Sequence, residues 1–236
     1  MPDRRLAVAA IVALIFASLA RSLRGVTRSG ALAGMMVCFV LYASAGWAAF
    51  VALLSVFVLA WTTTRLGSDR KRSLGTAERP EGRKASQVMA NLGMATACAL
   101  AYAASGRAVS LLALCSALAE AAADTVSSEI GQASRGKTRL ITTWAEVEPG
   151  TDGGITLAGT LAGIAAAMAV SLTCVLSGLI PPAWFPVAAA AASGGMVADS
   201  ILGACLERRG WLNNDATNFL GTAVAVGLSL LTLLDR

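Results

Sequence analysis

The chain has no histidine in 236 residues. That excludes His-based acid–base catalysis, Ser-His triads and most transition-metal sites, all of which need an imidazole. Charge is scarce too. Only 14% of residues are Asp, Glu, Lys or Arg, against about 25% in a typical soluble domain. With 56% of residues hydrophobic, too few polar stretches are left to clothe a water-facing surface. The chain reads as an integral membrane protein. Its five cysteines (Cys38, Cys98, Cys115, Cys174, Cys205) fall inside apolar runs and form no CxxC pair. Zinc and redox chemistry are not expected, and the thiols read as small buried hydrophobes.

What is present in quantity is hydrocarbon. Eight apolar runs follow one another: Leu6–Ala20, Ala31–Tyr42, Trp47–Trp61, Gln87–Ala104, Val109–Ala123, Thr156–Ser177, Val187–Cys205 and Phe219–Leu234. Several fall short of the ~20 residues of a perpendicular span, but neutral Ser, Thr and Gly flanks lengthen them. Gly30 to Trp61 is too long for one span, so Ser44-Ala45-Gly46 is expected to turn a helical hairpin. The fold class is all-α: a polytopic bundle of about eight transmembrane helices, forming a single integral membrane domain over 1–236.

Basic residues test that count. With eight spans, 15 of the 19 Lys and Arg residues fall in loops on one side. The positive-inside rule makes that side cytoplasmic and places both termini outside, in what is expected to be a bacterial inner membrane. The net charge of +5 then reflects this bias and anionic membrane lipids, not nucleic acid. Arg4-Arg5, an apolar core and Ala17-Ser-Leu-Ala20 resemble a signal peptide. Arg21, Arg24 and Arg28 just beyond oppose translocation, so a retained first helix is preferred. The three polar inserts, Thr62–Ser86, Gly131–Gly154 and Glu207–Asn218, share the cytoplasmic side, where function is expected. Trp47, Trp61, Trp184 and Trp211 near span ends suit interfacial anchoring. The pairs Gly30/Gly34 and Gly159/Gly163 suit close helix packing.

Acids inside the apolar runs are the candidate working residues, because a carboxylate there costs at least ~2.5 kcal/mol to insert. Glu120, Asp124 and Ser128 recur every fourth residue and share a helix face. Glu129 lies about 140° round from Asp124. Both could face one metal only if the helix ended near Ser127. Asp199 is a further intramembrane acid, with glycines at i−4 and i+4. Asp124, Glu129 and Asp199 are the candidate catalytic and metal-ligating set. The cations Arg135, Lys137 and Arg139 follow. Oxygen ligands beside Lys and Arg suit a magnesium–phosphate site, with Lys137 and Arg139 as phosphate contacts. Pro149-Gly-Thr-Asp-Gly-Gly-Ile-Thr156 then opens a helix, and Gly153 and Gly154 would let backbone N–H groups approach an anion. Asn214 and Asp215 open the last span and suit capping first, metal or phosphate contact second. Arg83, Gln87 and Asn91 form a polar stripe entering the membrane, tolerable only along a cavity.

These segments, in this order, resemble the integral membrane family that contains plastid phytyl-phosphate kinase. The resemblance rests on Asp124-Thr-Val-Ser-Ser-Glu129-Ile-Gly131, Pro149-Gly-Thr-Asp-Gly-Gly154, Asp199-Ser-Ile-Leu-Gly203, Asn213–Asn218 and the Gln87-Val-x-x-Asn91 stretch, over roughly 25–230. More distantly the chain is similar to dolichol kinases and phosphatidate cytidylyltransferases. The resemblance implies CTP, or another nucleoside triphosphate, as phosphoryl donor, Mg²⁺ as cofactor and a lipid phosphate as substrate. Asp124 and Glu129 would then join the metal–triphosphate site, Lys137 and Arg139 would hold phosphates, and Gly153 and Gly154 would form the turn. One departure is that Glu146, Val147 and Glu148 stand where a basic residue often precedes that turn. The implied activity is transfer of a phosphoryl group to a prenyl monophosphate. The competing reading is a transporter or flippase whose Asp124 and Asp199 carry ions or protons. Against it, no convincing internal repeat is found and the acids sit toward the basic side. A homo-oligomer is possible.

Overall fold

The computed structural model describes residues 2–234. Met1, Asp235 and Arg236, the chain ends expected on the outer side, lie outside the described residues. Each of the eight apolar runs became one long helix. These are α1 (Pro2–Ser22), α2 (Arg28–Ala45), α3 (Trp47–Arg65), α5 (Ala85–Ser105), α6 (Val109–Ala133), α7 (Leu157–Leu176), α8 (Phe185–Leu202) and α9 (Asn214–Leu234). A six-residue helix, α4 (Ser68–Ser73), lies in the first polar insert. Among the described residues, seven helices are long and apolar enough to cross a membrane. The other long helix, α9, has 21 residues and begins with a polar turn.

Helix boundaries follow local chemistry. Gly46, at φ 79°, separates α2 from α3, so the expected hairpin forms there. Thr27 caps α2, its hydroxyl accepting from Gly30 N at 3.1 Å, and Thr156 caps α7 by accepting from Gly159 N at 3.0 Å. Each satisfies a backbone donor that a helix start would leave orphaned.

The burial pattern is that of a protein solvated by lipid. Leu14, Ile15, Leu32, Leu161, Leu172 and Leu176 are all exposed. Meanwhile α6 is covered nearly all round from Leu112 to Ala123. A helix apolar on every side belongs at the centre of a bundle, and α3, α5, α7, α8 and α9 all pack on α6. Small residues allow the approach. A Cβ added at Gly163 of α7 would stand 2.8 Å from the Ala123 carbonyl, and one at Gly159 would crowd the Ser127 carbonyl. The Gly159/Gly163 pair is thus a packing device, as expected. Four cysteines are buried and Cys205 is half-buried, all as free thiols.

The Gly30/Gly34 pair does something else. A Cβ at Gly30 would collide with the Arg83 carbonyl of a loop, and nothing stands within 4 Å of a Cβ at Gly34. Neither glycine seats a neighbouring helix. The second polar insert also differs from expectation, because it is partly a sheet. Strands β1 (Thr138–Leu140), β2 (Glu146–Val147) and β3 (Gly154–Ile155) pair antiparallel in the order β2-β1-β3.

Candidate functional site

All three polar inserts gather at one end of the bundle. The segment 66–84 is tied down by Lys71, whose side chain is fully buried. Its Nζ donates to the carbonyls of Thr63 (3.1 Å) and Thr64 (2.7 Å) and to Glu129 Oε2 (2.6 Å). Glu129 Oε1 accepts from the Thr64 hydroxyl at 2.9 Å. Arg83, at the far end of the segment, is clamped by its backbone. Its N–H donates to the Gly25 carbonyl (3.1 Å) and its carbonyl accepts from Thr27 N (2.9 Å). Gly82 has φ +84°, and a Cβ there would strike the Gly25–Val26 backbone. Glycine is required at that crossing.

Beneath this segment lies a polar cavity of about 410 Å³. Asp124 on α6 and Asp199 on α8 line it, with carboxyls close enough to interact directly. Glu120, one turn behind Asp124, is 1% exposed and turns toward the same place. Its Oε1 would lie 2.7 Å, and Asp199 Oδ2 3.2 Å, from a Cβ added at Gly221 of α9. Among the described residues, neither oxygen, though buried, has a hydrogen-bond partner. Carboxylates in contact repel unless a proton or cation stands between them. Arg83 is the cation nearest in effect to Asp124, and its guanidinium also lies 3.4 Å from the Thr125 hydroxyl. Six acids line this cavity (Glu78, Asp124, Glu129, Asp152, Asp199, Glu207) against two arginines, Arg79 and Arg83.

A second cavity, of about 360 Å³, runs between α1, α2, α3 and α5. Its walls are largely apolar, and its charged lining is five arginines (Arg24, Arg65, Arg72, Arg79, Arg83) and Glu78. Ala77, Glu78, Arg79, Arg83, Gln87, Asn91 and Thr125 line both cavities and form the boundary between them, where Glu78 Oε2 lies 3.9 Å from Arg83 Nε. The expected polar stripe therefore does line a cavity. Its groups hold one another: Gln87 Oε1 accepts from Lys84 N (2.9 Å), and Asn91 Nδ2 donates to the Gln87 carbonyl (2.9 Å).

Several expected site residues take other parts than expected, each for a simple reason. Glu129 lines the same cavity as the aspartates, but α6 continues unbroken to Ala133 and turns its carboxylate onto Lys71 and Thr64 instead of toward theirs. Among the described residues, no three carboxylate or thiol groups stand together as a ready-made metal cage. Lys137 and Arg139 do not line the polar cavity; Thr138 between them does. The β1 alternation turns Thr138 inward and its neighbours out. Lys137 Nζ instead binds Glu146 Oε2 at 2.9 Å, holding that carboxyl below its ordinary range by hydrogen bond and charge. Arg139 donates to the Trp144 carbonyl at 2.9 Å. Gly153 and Gly154 line the cavity, but the Gly154 N–H donates to the Thr151 carbonyl (2.8 Å) within the turn. Gly153, at φ +72°, is needed because a Cβ would collide with Ala204 on α8's terminal π turn. At the α9 start Asn213 does the capping, accepting from Ala216 N at 2.9 Å. Asn214 and Asn218 face the cavity, whereas Asp215 is not among its lining residues. Arg79 and Thr138 were not singled out from the sequence. Thr138 Oγ1 is buried without a partner. Replacing Lys137 or Arg139 by Ala should therefore change turnover by no more than about twofold, the scale of an ordinary surface substitution. Steady-state kinetics on the two variants check this.

Comparison with known proteins decides the family. The profile of the integral membrane protein family DUF92 matches residues 11–226. The chain belongs to this family. Its DUF92 relatives include an uncharacterized membrane protein of Methanocaldococcus jannaschii, 35% identical over 223 residues, covering 93% of this chain and 91% of the relative. Two plant members are Arabidopsis thaliana protein VTE6, chloroplastic, 32% identical over 86% of this chain and 65% of its own, and protein PGR, 31% identical over 89% and 82%. The kinship read from the spaced motifs is borne out by this match. No solved structure matches this DUF92 chain.

Proposed function

We propose that this DUF92 protein is a CTP-dependent kinase of a prenyl monophosphate, working at the cytoplasmic face of the membrane. The observation that supports it best is the pair of cavities meeting at Arg79 and Arg83, one acidic and polar, the other apolar with an arginine rim. An acidic cavity repels a bare triphosphate but accepts one accompanied by divalent metal. Mg²⁺ is typically held by one or two carboxylates plus substrate phosphates, not by a full protein cage. Asp124 and Asp199 suit that role, with unpartnered oxygen at Asp199 Oδ2. When bound there, magnesium would neutralise charge on the donor's phosphates.

In the reaction, an oxygen of the lipid monophosphate forms a bond to the γ-phosphorus of CTP. The bond from that phosphorus to the β,γ-bridging oxygen breaks, and CDP leaves with that oxygen. The acceptor is already anionic near neutral pH, so no strong base is needed and the lack of histidine is no handicap. The protein's work is positioning and charge neutralisation. Arg79 and Arg83 hold the acceptor phosphate at the boundary of the two cavities. Thr138 offers a hydroxyl from the sheet, and Asn214 and Asn218 offer amides.

Purified protein in lipid, given γ-labelled CTP and phytyl or geranylgeranyl monophosphate, should yield labelled prenyl diphosphate only with Mg²⁺. No product from a folded, lipid-supplied sample with CTP, UTP or ATP would overturn the proposal and favour the ion-coupled alternative.

A further inference from the structure

We infer that the apolar cavity between α1, α2, α3 and α5 is a measuring slot for the tail of a lipid monophosphate, with Gly34 as its open wall and Phe16 and Leu53 at its floor. This deepens the kinase reading and rests on it for the identity of the headgroup.

Three observations carry it. First, the slot is long enough to matter. Its α3 wall runs from Thr64 down to Leu53, about 16 Å at the helical rise of 1.5 Å per residue. Second, its charge is sorted along that length. The five arginines come from Arg24, Arg65 and the segment 66–84, all at the polar end, while Phe16, Gly34, Leu53 and Leu92 line the interior. A ligand with an anionic head and a hydrocarbon tail matches that sorting, and the head would rest against Arg79 and Arg83. Third, the interior is built to have an end. Phe16 is 8% exposed and Leu53 2% exposed. The Phe16 ring stacks edge-on against Phe57 (5.4 Å) and Phe50 (5.8 Å), which fixes it in place.

Gly34 supplies the test position. It is helical, and none of the described residues stands within 4 Å of where its Cβ would be. A larger side chain can enter the slot there without displacing the fold. An aryl group at this point should block a long tail while leaving the arginine rim intact. Differences of one methylene in an apolar pocket already change selectivity by about 10–200-fold.

The experiment has two arms. In the first, a geranylgeranyl monophosphate bearing a diazirine at its tail end is photolysed with the full-length protein in nanodiscs, without nucleotide. Labels on Phe16, Leu53, Leu92 or Gly34, suppressed by unlabelled geranylgeranyl monophosphate, are the expected result. Labels confined to lipid-facing residues such as Leu14 and Leu32, or equal labelling of the slot by a diazirine phospholipid, would overturn the inference. In the second arm, Gly34→Phe should weaken binding of geranylgeranyl monophosphate about tenfold or more. It should leave binding of methyl phosphate, which has no tail to pass Gly34, unchanged. Equal loss for both monophosphates, or no loss for either, would also overturn it. The arms separate the two readings. Slot labelling without diphosphate product under any nucleotide keeps the slot and removes the kinase. Product formation with labelling only outside keeps the kinase and removes the slot.

Discussion

Asp124→Asn should lower phosphoryl transfer by about 10²–10³-fold, the scale seen when one electrostatic contact to a developing charge is removed. Asp199→Asn should do the same. Asparagine keeps the size of each side chain and a carbonyl oxygen but cannot neutralise a metal cation. The two carboxyls interact directly, and Asp199 Oδ2 is buried with no donor. Because they act on the same charge, the double variant should lose little more than either single one, as residues acting as a unit do. The fold should survive, since Asn removes repulsion between buried acids. Thermal unfolding together with kcat at saturating CTP checks both statements. Full activity in either variant would remove the metal role from that residue.

Lys71→Met should cost about 3–5 kcal/mol of stability, the usual penalty for stranding one partner of a buried ion pair. Glu129 Oε2 would lose its ammonium at 2.6 Å, and two carbonyls would lose their donor. The consequence reaches the site. Lys71 tethers the segment that carries Arg79 and Arg83 over the cavities, so binding of a lipid monophosphate should weaken along with stability. Lys71→Met combined with Glu129→Leu should recover much of the stability, because an apolar pair of similar volume is often tolerated where a lone charge is not. It should not restore activity fully if the segment's position also matters. Thermal midpoints in nanodiscs for the single and double variants measure this coupling. A double variant no more stable than Lys71→Met would show that the pair is not the fastening described.

The helices could be read directly, because eight hydrocarbon runs separated by charge leave few alternatives for a chain in lipid. Asp124 and Asp199 were legible for the same reason: an acid is conspicuous among alanines. The partners of those acids were not. Glu129 was expected to share a metal with them if the helix broke near Ser127; it shares their cavity, but its carboxylate is held by Lys71 and Thr64. Glycine at 131 instead packs beside Thr156 and Gly159 of α7, and the helix runs on. Lys137 and Arg139 were assigned by proximity in sequence, but a two-residue period turned both outward and Thr138 inward. Arg79 carries no local signal. It reaches the site because Gly82 and Lys71 fold its segment back over the bundle. The division into an acidic cavity and an apolar slot depends on seven long helices and the loops between them at once, which no local pattern encodes.

The most direct measurement is a structure of the protein in nanodiscs with Mg²⁺ and a non-hydrolysable CTP analogue. The triphosphate is expected beside Asp124 and Asp199, with its terminal phosphate facing Arg79 and Arg83. Nucleotide density anywhere else, or none at saturating analogue in a folded sample, would contradict the shared cradle on which the kinase assignment depends.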